Sequence, residues 1–234
     1  MIRTCPVVVS MIALISMSTA RAEFVGNLEF TPAGCEQAGL CKLKSDFRYK
    51  DPSGLEWLTK AGDKTDGASI PPWAQPFIGQ PFDKMFIKAA VIHDHYCDRH
   101  VRPWRHTHRV FYDALMETGV DGTKSKLMYY AVYLFGPKWL QLIPGKPCGK
   151  NCVFKVDIEL QPGGKDAGKL ITARPSQYAD PELPGDLKEV EKLIAEQGDK
   201  VDLAYLEQRA QRKRPNDYFY ARGDAASIGN VAVE

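Results

Sequence analysis

Five histidines, His93, His95, His100, His106 and His108, fall within a span of sixteen residues, and the chain has no others. Imidazole changes charge near neutral pH and is the commonest metal ligand, so clustering of this density points to a site. The stretch AAVIHDHYCDRH, residues 89–100, also places Asp94 beside His93 and Cys97 four residues after it. Adjacent residues on a helix project about 100° apart, so His93 and Asp94 cannot serve as base and orienting acid for each other. Both can face one hollow astride the helix, with the imidazole on one side and the carboxylate toward a metal on the other. The spacing of His93 and Cys97 allows a zinc-ligand pair on one helical face, although a buried thiol is the simpler reading.

Helical periodicity sorts the five imidazoles. His93 shares a stripe with Phe86, Ala89 and Ala90, and His108 shares one with Phe111, Tyr112 and Leu115, so both are expected to point inward and to meet. His95, His100 and His106 fall on more polar faces and are expected at the surface, His106 together with Arg109 and Asp113. The loop TDGASIPP supplies a second signal. Asp66-Gly67 permits a tight turn with positive φ, Ser69 can bond to a neighbouring group, and Pro71-Pro72 stiffens the exit. Such a loop can offer a carboxylate and carbonyls to a hard cation such as calcium; an Asp-Gly turn closing a strand is the common alternative. The candidate set is therefore His93 and Asp94 as catalytic groups and Asp66, Asp94 and His108 as metal-facing groups, with Gly67, Ser69 and Tyr96 in support. The cofactor expected at such a set is a divalent metal, calcium or zinc. Beside the loop, Trp73, Phe77 and Ile78 could lie on a membrane or substrate, or equally could close over the core.

These groups need elements to hold them. The segment 24–65 reads as β-rich: alternation around Phe47 and Tyr49, a break at Asp51-Pro52-Ser53-Gly54 and resumption at Leu55, Trp57 and Leu58 predict a hairpin. From about Asp83 the period becomes helical. A break near Arg102-Pro103 leads to a second helix ending at Gly119, and the aromatic KSKLMYYAVYLF predicts a third, stopping before Gly136-Pro137. VFKVDIEL, residues 153–160, reads as one more strand. Beyond about Gly163 the composition turns polar, with helical candidates at 184–196 and 201–213. The expected fold is α+β, a short β-hairpin entry before a three-helix body, with a polar helical or partly disordered C-terminal tail. The divisions are 1–22, 23–162 and 163–234, the last a peripheral tail that could bind a protein partner.

Composition narrows the setting. Residues 1–22 carry Arg3, an apolar run from Val7 to Met17 and Ala20-Arg21-Ala22, the pattern of a secretory signal peptide too short for a membrane span. Its removal leaves no further transmembrane candidate, so the product is expected in the periplasm or outside the cell. Without Arg3 and Arg21 the 31 basic residues become 29, matching 29 acidic ones, which argues against a nucleic-acid binder. In an oxidising compartment Cys35/Cys41 and Cys148/Cys152 are the natural disulfide pairs, leaving Cys97 over.

Taken in order, TDGASIP, AAVIHD, THRVFYDAL and an aromatic helix ending GPKW resemble the bacterial and phage family catalogued as domain of unknown function 1353, over about Phe47 to Trp139. The resemblance implies a shared fold and a site at Asp66, His93 and Asp94, and brings no established activity. Many relatives carry Asp where this chain has His108. A looser likeness links the His-Asp helix, with its following Tyr and Cys, to secreted phospholipases A2. That likeness implies His93 as general base on a water, with Asp94 and loop carbonyls around calcium. Together these readings give an exported metal-dependent hydrolase of an envelope component, lipid or peptidoglycan, or else a non-catalytic envelope protein stabilised by the same His/Asp cluster.

Overall fold

A computed structural model describes residues 21–144, 152–153, 169–171 and 180–228. Six short strands come first: β1 (Glu23–Val25), β2 (Phe30–Thr31), β3 (Cys41–Leu43), β4 (Phe47–Lys50), β5 (Glu56–Thr59) and β6 (Lys64–Thr65). They form two antiparallel three-stranded sheets, ordered β1-β4-β5 and β2-β3-β6. The hairpin β4–β5 pairs Phe47 with Thr59 and Tyr49 with Trp57, so its alternation sends Phe47, Tyr49 and Trp57 into the core. Asp51 builds the turn by accepting bonds from Ser53 N at 2.9 Å, Leu55 N at 3.0 Å and Trp57 Nε1 at 2.9 Å.

After the 66–82 loop, which contains the single turn α1 (Gln75–Ile78), come α2 (Ile87–Arg99), α3 (Trp104–Glu117) and α4 (Gly122–Phe135). His100 ends α2 in the left-handed region at φ 53°, its N–H donating to Tyr96 O, and α3 starts four residues later, so the two helices lie side by side. Asp121 starts α4 by accepting from Thr123 N and Lys124 N. α4 is apolar on two faces, and each is used. Met128 and Val132 join the core shared by the hairpin, α2 and α3. Tyr129, Tyr130 and Tyr133 join a second core with Val190, Ile194, Leu206 and Ala210.

Those partners belong to α5 (Leu183–Gln197) and α6 (Leu203–Lys213), the helices expected at 184–196 and 201–213. Their apolar stripes rest on α4, while their remaining faces stay polar. Buried Asp186 fastens the contact, accepting from Tyr130 OH at 2.5 Å and from Arg209 Nη2 at 2.6 Å. Strands β7 (Trp139–Pro144), β8 (Cys152–Val153), β9 (Lys169–Ile171) and β10 (Ala225–Ile228) form a third sheet, ordered β8-β10-β7-β9. Most of the strand expected from VFKVDIEL, and the Cys148/Cys152 pairing, lie outside the described residues. The Cys35–Cys41 disulfide is present. Among the described residues no helix is long and apolar enough to cross a membrane.

Candidate functional site

The side-by-side placement of α2 and α3 brings the middle of one against the second turn of the other. His93 Nε2 lies 2.8 Å from His108 Nδ1, and Cys97 Sγ lies 3.4 Å from the same His93 Nε2. The three donors fall within 4.8 Å of one another, and all three residues are buried. The two inward imidazoles meet as their stripes required. Cys97 completes the group from one turn further along α2; it is a buried thiol, the reading preferred from the sequence, and the i, i+4 spacing had only allowed the partnership with His93.

Packing encloses the cluster. The Phe111 ring stands 4.8 Å from that of His93, and Trp104 and Trp139 flank His108 at 5.6 Å and 6.4 Å. Gly136, where α4 ends, closes the far side: a Cβ there would stand 2.9 Å from His108 Cε1 and 3.0 Å from Nε2. His108 is fully buried, and among the described residues its Nε2 makes no hydrogen bond of good geometry. Burial, then the neighbouring His93 and Lys138, hold its pKa well below the usual imidazole value, with the Pro137 carbonyl opposing only in part.

A catalytic triad needs its base to use one ring nitrogen for the nucleophile and the other for the orienting group. Here Cys97 and His108 both approach the same nitrogen of His93. Convergence on one point suits a shared cation better than a proton relay. Thiolate and imidazole donors fit zinc and similar ions, whereas calcium takes oxygen ligands. Around zinc, bond lengths of about 2.0 Å to nitrogen and 2.3 Å to sulfur separate ligand atoms by roughly 3.3–3.5 Å. The distance from Cys97 Sγ to His93 Nε2 already matches, the imidazoles need to part by about half an ångström, and Cys97 Sγ stands within 4.8 Å of the His108 donor.

The carboxylates stand elsewhere. Asp94 Oδ2 accepts from Thr65 Oγ1 at 2.6 Å, and Thr65 Oγ1 in turn accepts from Gly67 N at 3.1 Å. Asp66 is exposed and accepts from Ser69 Oγ at 3.0 Å. Neither Asp66 nor Asp94 joins a group of three donors among the described residues. Gly67 is required for closeness as well as for its φ of +84°, since a Cβ would sit 2.6 Å from Pro81 O. The chain Asp94–Thr65–Gly67 therefore ties the TDGASIPP loop to α2. Tyr96 works on the hairpin side, where its hydroxyl accepts from Leu58 N at 3.0 Å.

His95 departs from expectation. It is buried, with Nδ1 2.5 Å from Asp63 Oδ2, because β6 covers the face of α2 opposite α3. Burial lowers its pKa more than Asp63 raises it. His106 is half-exposed against Trp57, and His100 packs on Trp139.

Against this geometry, residues 41–132 match the model of the family described as "Protein of unknown function (DUF1353)", the family that the motifs resemble. The matched segment runs from β3 into the last turn of α4 and contains all three converging donors. The chain is 50% identical over 154 residues to "Uncharacterized protein y4iH" of Sinorhizobium fredii, covering 65% of this chain and 61% of that protein. It is 43% identical over 122 residues to "Uncharacterized protein y4jT" of the same organism, covering 50% and 36%. The chain thus spans less than two thirds of either relative. No solved structure matches.

Proposed function

We propose that the protein is an exported metal-dependent hydrolase of an envelope component, whose ion is held by His93, Cys97 and His108. The observation that carries this reading is the approach of Cys97 Sγ and His108 Nδ1 to one nitrogen, His93 Nε2. Three protein ligands are the number that catalytic zinc sites use, leaving one position for water. When bound, such an ion supplies a water acidic enough to ionise near neutral pH. The protein's own part is to hold the two imidazoles neutral, which burial of His108 favours, and to keep bulk water out with Phe111, Trp104 and Trp139. Asp94 fixes the loop over α2 through Thr65.

A second reading has its own support. His108 is fully buried, and closed sites are structural ones. In that case the cluster stabilises a non-catalytic envelope protein. Metal analysis of the chain purified from periplasm tests the common part: one zinc-class ion per chain is expected, with Cys97→Ala and His93→Ala reducing it severely. Absence of metal, with melting indifferent to chelator, removes both metal readings. The two then separate on lipid vesicles and on peptidoglycan. Product release that stops in a folded His93→Ala variant means catalysis, whereas no release together with a collapsed melting temperature means structure.

A further inference from the structure

A cavity of about 350 Å³ opens between the 68–78 loop, α4 and the start of α5. Ile70, Trp73, Phe77, Leu127, Met128 and Leu187 are among the apolar residues of its wall, and Phe111 is part of the same lining. Phe111 also packs on His93, so a single aromatic ring separates this space from the three donors. Most of the polar groups along the wall are engaged or turned to solvent, Thr123 being half-buried. Asp121 caps α4, Lys124 Nζ donates to Ile78 O at 3.1 Å, Ser69 Oγ bonds Asp66, and Lys188 and Glu191 are exposed. A glycan or peptide chain would bring many hydroxyl or amide groups and find few partners for them inside. The mouth is aromatic: Phe77 is 72% exposed and Trp73 36% exposed, although both line the cavity. Exposed Trp and Phe continuous with an apolar hollow suit a lipid surface.

We propose that this cavity takes one acyl chain of an envelope lipid. This rests on the hydrolase reading for its purpose, and chooses lipid over peptidoglycan as the substrate class. The tail enters past Trp73 and Phe77 and lies along α4, with Phe111 between it and His93. The Asp94–Thr65–Gly67 connection ties the loop that forms one wall to the helix that carries the donors, so loop and donors are held in one frame.

Calorimetric titration of the metal-loaded, full-length mature protein with octanoate, decanoate and dodecanoate tests the assignment. One chain per protein is expected, with affinity rising about fourfold per added methylene until the cavity is full, and with a negative heat-capacity change. Ala131→Trp, which fills the cavity from α4, should abolish binding; Leu187→Glu, on the half-buried face of α5, does so by charge should the first variant fail to fold. Undetectable binding, affinity indifferent to chain length, or binding retained in both variants overturns the proposal. So does concentration-dependent dimerisation through Trp73 and Phe77 that the fatty acids leave unchanged. Acyl binding without release of fatty acid from vesicles or of product from peptidoglycan upholds the cavity assignment and sinks the hydrolase reading. Hydrolysis of a water-soluble acetyl ester by a protein that binds no fatty acid sinks the cavity assignment alone.

Discussion

Among the described residues His108 Nε2 makes no hydrogen bond of good geometry, yet the ring is fully buried, and its pKa lies well below the 6.5 of a free imidazole. The unfolded chain therefore takes up a proton near pH 6.5 that the native, metal-free protein refuses. Stability is present above that pH and is lost as pH falls below it, at about 1.4 kcal/mol per pH unit for each such proton. His95, also lowered, acts in the same sense. Asp113 opposes both: burial raises its pKa from 3.8 to about 6, so it favours the folded state as pH falls from about 6 toward 3.8. Urea unfolding on either side of pH 6.5 should show the loss, and His108→Gln should flatten it; an unchanged slope would remove the role given to His108. Gly136 offers a purely steric test. An added Cβ would meet Val132 O at 2.2 Å as well as the His108 ring, so Gly136→Ala should cost about 3 kcal/mol by overpacking. Gly122→Ala, with nothing within 4 Å of its Cβ, should leave the urea midpoint unchanged or slightly raised.

Elements hold these residues through a few polar fastenings, and Asp51 is the most connected. Burial alone would raise its pKa, but donors from Ser53, Trp57 and Leu55 outweigh that and hold it below the usual carboxylate value. Asp51→Ala leaves the buried Trp57 Nε1 and two turn N–H groups without their acceptor, and should destabilise the protein by about 3 kcal/mol. The loss should appear in the urea midpoint together with a shift of tryptophan fluorescence. An effect under about 0.5 kcal/mol, the level of an ordinary surface change, would mean that the hairpin does not depend on this turn. The hairpin, the three helices and their breaks at Arg102-Pro103 and Gly136-Pro137 were legible because period and breaker residues are local properties. The burial of His95 was not, since one sheet strand covers a face that the helix pattern alone marks as polar.

At the scale of the whole molecule, α4 joins two cores, and the helices α5 and α6 complete the second. Ending the chain before Asp180 would uncover Tyr129, Tyr130 and Tyr133 and remove Asp186, the acceptor for Tyr130. Such a truncated protein should lose cooperative melting or become insoluble, whereas a melting curve like that of the full chain would make the two helices an accessory. The sequence by itself determined the α+β order of elements, the inward direction of His93 and His108, and the four-residue spacing that places Cys97 on the side of His93. Only the tertiary structure decided that Cys97 and His108 converge on one nitrogen, that Asp94 and Asp66 serve the loop, and that an apolar cavity lies one ring away. Periodicity fixes the direction of a side chain relative to its own helix, but distances between donors depend on how two helices pack and which strand or loop covers them, and no local pattern encodes that.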